Sequence, residues 1–97
     1  MISDAESSEF DWDGGNAGKN RKHRVEDTES EEAFFDGRKV LMKDALHSHG
    51  EERFILLGKT KGDRLLFIVF TKRKMKIRVI SARQANKKEI PLYEKAA

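Results

Sequence analysis

The side chains best suited to chemistry in this chain are cations set on a regular scaffold. Residues 64–83 read RLLFIVFTKRKMKIRVISAR. Leu65 to Phe70 is a continuous apolar run. Met75 to Ala82 alternates, with Ile77 and Val79 on one face and Lys76 and Arg78 on the other. Two such strands joined through a cationic turn at Thr71–Lys74 make a β-hairpin that ends on Arg83. Guanidinium and ammonium groups held in this way match a phosphate backbone. Histidine is the natural proton donor or acceptor near neutral pH, which draws attention to His23, next to Lys22. His47 and His49 alternate in a loop near Asp44, but zinc takes three or four protein ligands, so no metal and no cofactor is expected. The absence of cysteine excludes disulfides, thiolate catalysis and Cys-type zinc sites, and fits a reducing cytoplasm.

A scaffold must position these groups, and 97 residues supply one domain with one modest core. Residues 1–9 read as a polar lead-in, without the charged start and apolar middle of a signal peptide, and residues 10–97 as the domain. No apolar run approaches the ~18 residues of a membrane span. Net charge is +3, unevenly spread: residues 1–37 hold 4 Lys/Arg and 11 Asp/Glu, and residues 38–97 hold 16 and 6. An acidic front and a basic working surface are expected, although charges that merely solvate an outer face would look the same.

Phe10–Asp13 (FDWD) alternates and suits a first strand, with Asp13 capping a helix over about residues 14–23 that its glycines weaken. Val25 docks into the core. Thr28 and Glu31 have capping-box spacing for a second short helix, which buries Ala33, Phe34 and Phe35 and ends near Gly37. Val40–Met42 and Arg53–Leu57 are the next strands, the latter closed by Gly58, before the hairpin strands already described. Asn86 and Glu89 have capping-box spacing for a final helix, which Pro91 forces either to start later or to bend. The layout is α+β, with helices packed on a small antiparallel sheet.

In this order and spacing, three blocks resemble the BrnT family of bacterial toxins, the ribonuclease half of BrnT/BrnA pairs. They are FDWD with Asn20 and Lys22-His23; EERFILLGKT with RLLFIVFT; and IRVISAR with NKKE and Tyr93. The sequence departs from the usual family pattern at Arg24, in the spacing from Asn20 to Lys22-His23, and at Gln84 and Pro91. The resemblance implies a RelE-like fold: a small antiparallel sheet with two N-terminal helices and one C-terminal helix. It also implies metal-independent RNA cleavage, neutralisation by a BrnA-like ribbon-helix-helix antitoxin in a hetero-oligomer, and contact with operator DNA only through that antitoxin.

Metal-free RNA cleavage uses the 2′-hydroxyl as nucleophile. It needs a base for that hydroxyl, an acid for the leaving 5′-oxygen and positive charge on the transition state. His23 is the candidate for proton transfer, against the plainer role of a histidine at a helix end. Lys22 is a catalytic candidate beside it, or simply solvated. Arg83 and Arg78 are the candidates for transition-state charge, Arg83 against a surface salt bridge to Glu89. Arg53, Lys72, Arg73, Lys74, Lys76 and Tyr93 are candidates for RNA binding. Arg53 has Glu51 and Glu52 as alternative partners, and Tyr93 a packing role at the core edge. The aromatic residues Trp12, Phe34, Phe35, Phe54, Phe67 and Phe70 read as core. The same surface would serve a non-catalytic RNA-binding module, or a module that binds an acidic protein.

Overall fold

The computed structural model describes residues 9–48 and 50–96. Four strands form an antiparallel meander in the order β1-β2-β3-β4: β1 is Val40–Lys43, β2 Phe54–Lys59, β3 Leu65–Arg73 and β4 Lys76–Gln84. Each connection joins neighbours, so every strand of the sheet is antiparallel to the next. Strand β3 is central: Leu66, Ile68 and Phe70 are buried on one face, and Leu65, Phe67 and Val69 are half-buried on the other. Helix α1 (Asp27–Phe34) packs on one face and α2 (Ile90–Ala96) lies over part of the other.

The main core lies on the first face. Val25, Ala33 and Phe34 meet Leu56, Leu66, Ile68, Phe70, Ile77, Val79 and Ala82 there, all 2% exposed or less. Gly58 sits inside β2, not at its end, for a packing reason. A Cβ at this position would run into the Ala33 carbonyl oxygen, so the missing side chain lets α1 approach the sheet. A smaller cluster of Leu57, Ala85 and Tyr93 lies on the second face beneath α2.

Several expectations need correction. Phe10–Asp13 is not a strand of the sheet: it makes a single parallel bridge, Phe10 to Ile77, at the outer edge of β4. The first N-terminal helix is reduced to turns and a five-residue 3-10 helix, Lys19–His23, because glycines 14, 15 and 18 give its first turns no helical preference. The second begins earlier than its Thr28 cap predicts. Glu26 is the N-cap, and its N–H donates to the Glu29 carboxylate at 3.0 Å. Phe35, expected in the core, is 57% exposed because it lies beyond the last buried turn of α1. The final helix does start late. Asn86 and Glu89 exchange the reciprocal bonds of a capping box, and helical geometry begins at Ile90, with Pro91 in the first turn where its missing N–H costs nothing.

The hairpin turn is also displaced. Arg73 pairs with Lys76, leaving Lys74 and Met75 as a two-residue loop with φ of 51° and 71°. Both positive values are those of a type I′ turn, whose twist matches that of the strands. Thr71–Lys74, read as the turn, is mostly strand. No described helix is long and apolar enough to cross a membrane.

Candidate nucleic-acid interface

Strand β4 carries an irregularity that decides where its cations point. Phe70 pairs with Val79, yet Val69 pairs with Ser81, so Ile80 is an extra residue opposite the Val69–Phe70 step. The consequence is visible in burial: Val79 and Ala82, three apart, both enter the first-face core. In a regular strand, Arg78 and Arg83 are five apart and face opposite sides. The bulge brings both onto the second face, which is a general use of bulges. Their cross-strand partners Thr71 and Phe67 are four residues apart on β3, about 13 Å at the usual strand rise.

The same parity places Arg73 and Lys76 on that face, and Arg53, one residue before β2, lies in the row of Thr71 and Arg78. Five of the cations singled out in the sequence therefore share one surface. Its floor between the two ends includes half-buried Ile55, Phe67 and Val69. Lys72 and Lys74 do not share it: Lys72 belongs to the first face and Lys74 to the turn.

Three of the four guanidinium groups, those of Arg73, Arg78 and Arg83, are held by carboxylates. Arg83 grips Glu89 with two bonds of 2.9 and 2.7 Å, and its guanidinium carbon lies 4.2 Å from the centre of the Phe67 ring. The salt bridge weighed for Arg83 is thus present, in bidentate form. Its bonds hold the Glu89 carboxyl below the usual range. Arg78 donates to both oxygens of Asp13 at 3.0 and 2.9 Å and approaches Asp11 at 3.4 Å. The bond to Arg78 is the main cause that keeps Asp13 low. Gly15 lies beside this pair, and a Cβ there would lie 2.8 Å from the Arg78 guanidinium and push it aside. Arg73 holds Glu51 at 2.8 Å and lowers its pKa, with Arg53 and Arg78 adding to the positive field around it. Arg53 therefore does not have the partners its neighbours suggested: Glu51 goes to Arg73, and Glu52 to Lys43 at 2.9 Å.

Two asparagines anchor the segment that carries Lys22 and His23. Buried Asn16 donates to the Val79 carbonyl at 3.0 Å, and buried Asn20 accepts from the Ala82 N–H at 3.0 Å. Asn20 thereby fixes the 3-10 helix beside the Arg83 end of β4. His23 follows three residues on, about 6 Å of 3-10 rise. Lys22 and His23 are exposed, and among the described residues neither side chain makes a hydrogen bond or ion pair. Arg24 ends this helix at φ 63°, and its carbonyl accepts from Arg64, which also holds Glu29 at 2.8 Å. Glycine takes this left-handed conformation without strain, and here the bond from Arg64 secures the Arg24 backbone.

Tyr93 is not available for stacking on a base. Its ring is 5% exposed, and its hydroxyl donates to Asp36 at 2.6 Å. Burial and the adjacent Asp36 charge push its pKa up to about 12. Asp36 is pushed up by burial, but the Tyr93 hydroxyl and the N–H groups of Lys59 and Arg38 outweigh this and hold it low. A cleft of about 870 Å³ lies here between α1 and the Lys59–Asp63 turn. Its walls mix Glu31, Glu32, Asp36 and Asp63 with Arg38, Lys59 and Lys61, so it is not the continuous cationic lining that a phosphate chain calls for. In the β1–β2 loop, His47 Nδ1 lies 3.0 Å from Asp44, and His49 falls outside the described residues.

Sequence reasoning found the cations and the Glu89 partner of Arg83, but missed the carboxylates that hold Arg78 and Arg73. Asp11 and Asp13 carried a signal, since FDWD places two carboxylates on one face of an extended segment. Asn16 carried none, because an amide that seals a strand edge depends on which edge is left open. A family model described as ribonuclease toxin, BrnT, of type II toxin-antitoxin system matches residues 12–89. No curated protein sequence matches the chain at a significant level.

Proposed function

The chain belongs to the BrnT family of ribonuclease toxins of type II toxin-antitoxin systems, and from that premise we propose that RNA lies along the second face of the β3–β4 hairpin and is cut there without a metal ion. The observation that carries this reading is the bulge at Ile80, because it collects Arg78 and Arg83 on one face with Arg53, Arg73 and Lys76. Arg53, Arg73 and Lys76 track the phosphates upstream or downstream of the scissile bond. Arg83 and Arg78 neutralise charge that develops on the non-bridging oxygens, as preorganised donors do. His23 transfers the proton, either from the 2′-hydroxyl or to the leaving 5′-oxygen, with Lys22 beside it adding positive charge. Asp13 on Arg78 is exposed, and such a pair adds little net stability, so phosphate can replace it; Glu89 is largely covered and holds the Arg83 guanidinium in place.

On the same reading the fold is RelE-like, the protein works in the cytoplasm, and its partner is a BrnA-like ribbon-helix-helix antitoxin that links it to operator DNA. The test is cleavage of a labelled RNA by the free protein in EDTA. Cleavage is expected to persist, and Arg83→Ala to lower its rate about 100-fold or more while the fold and RNA affinity largely survive. Loss of all activity in EDTA would remove the metal-free mechanism. A smooth loss of affinity with no rate to lose would instead mark a non-catalytic RNA-binding module.

A further inference from the structure

We propose that β1 is a docking edge for an extended, acidic segment of a partner protein, which adds a strand to the sheet. On the reading above, that partner is the antitoxin. The sheet has two edges, and the chain treats them differently. The outer edge of β4 is sealed: Ile77 bonds to Glu9 and Asp11, the Val79 carbonyl accepts from Asn16, and the Ala82 N–H donates to Asn20. The outer edge of β1 is left open among the described residues. The Asp44 N–H donates to the Arg53 carbonyl, which fixes the phase of the ladder. Bonding groups of Met42 and Val40 then face β2, and those of Leu41 and Lys43 face outward. An open row of this kind is a template for strand addition.

Beside that edge lies a receptor for a side chain. Leu41, Phe54 and Phe70 line an apolar cleft of about 250 Å³ on the first face, and Leu41 is 45% exposed. Leu46, just beyond β1, is 82% exposed. Charge selects the occupant. Arg38 and Lys39 lead into β1 and Lys43 ends it, while the nearby Asp36 and Asp44 are engaged by Tyr93 and by His47. Lys43 holds Glu52 in an exposed pair that a partner carboxylate can replace. A second copy of this chain would set these cations against one another, and like charges across a strand pair repel. An acidic strand with alternate apolar residues satisfies the open backbone, the cleft and the charge together.

The probe is the product of the adjoining reading frame, co-expressed with the chain and purified as a complex. Amide hydrogen exchange at Leu41 and Lys43 is expected to slow at least tenfold on binding. Leu41→Pro removes an outward N–H at an edge position that tolerates proline, and should weaken the complex at least tenfold. Lys39→Glu with Lys43→Glu leaves the backbone intact, and should weaken it comparably should the proline variant misfold. Failure of the complex to form, unchanged exchange at both amides, or wild-type affinity of a folded variant would overturn the proposal. So would self-association of the free chain that Leu41→Pro abolishes. RNA cleavage by the free variants should match wild type, and that assay tests the nuclease reading separately from docking.

Discussion

Arg83 uses its guanidinium twice: the edge takes the Glu89 carboxylate and the face lies on Phe67. Lysine cannot reproduce a planar fork and a stacked face at once. Arg83→Lys is therefore expected to stay close to Arg83→Ala in cleavage rate, rather than to recover wild-type activity, in a single-turnover assay. Tyr93 shows how a residue read as a possible base platform becomes structural. Its neutral hydroxyl is favoured by burial and by Asp36, which raises its pKa from 10 to about 12. The folded state thus binds this proton more tightly than the unfolded state does. The stabilisation is complete below pH 10 and is lost as pH rises through 12. Tyr93→Phe should remove that alkaline loss, measured by urea midpoints across the window. It should also lower stability near neutrality by about 1.5–3 kcal/mol, the cost of a hydrogen bond to a charged group.

At the scale of elements, the hairpin stands on two local departures from regular structure. The bulge re-aims the cations, and the turn closes on two left-handed residues, Lys74 and Met75. Left-handed backbone costs an L-residue about 1–2 kcal/mol, a cost glycine escapes. Met75→Gly is expected to raise stability by about 1 kcal/mol, read as a higher denaturant midpoint at constant slope. The sequence signals both strands through their apolar patterns but neither departure. A two-residue turn is usually announced by Asn-Gly, and here the pair is Lys-Met. The alternation from Met75 to Ala82 likewise holds through Val79 and then slips by one residue at Ile80.

The charge asymmetry of the chain acts at the scale of the whole molecule. The acidic front does not stand apart from a basic working surface: it folds against the edge of β4 and places Asp11 and Asp13 on Arg78. On the proposed function, these carboxylates occupy positions that RNA phosphates would take. Asp11→Asn with Asp13→Asn is expected to tighten binding of a single-stranded RNA about two- to fivefold at low salt, measured by fluorescence anisotropy, because phosphate no longer competes with a tethered anion. The same measurement should show affinity falling steeply with salt, as counterion release requires. Unchanged affinity in the double variant would place the RNA path away from Arg78.

The α+β class, the three later strand pairings and the family itself were legible in residue types, because periodicity and motif order are properties of the chain taken along its length. So was the pool of candidate cations. Which of them share a surface was settled only by folding. It depends on an unpaired residue in β4, on which strand edge Asn16 and Asn20 seal, and on the reach of Asp11 and Asp13 to Arg78. Those are distances between segments far apart in sequence, and short-range pattern carries no information about them.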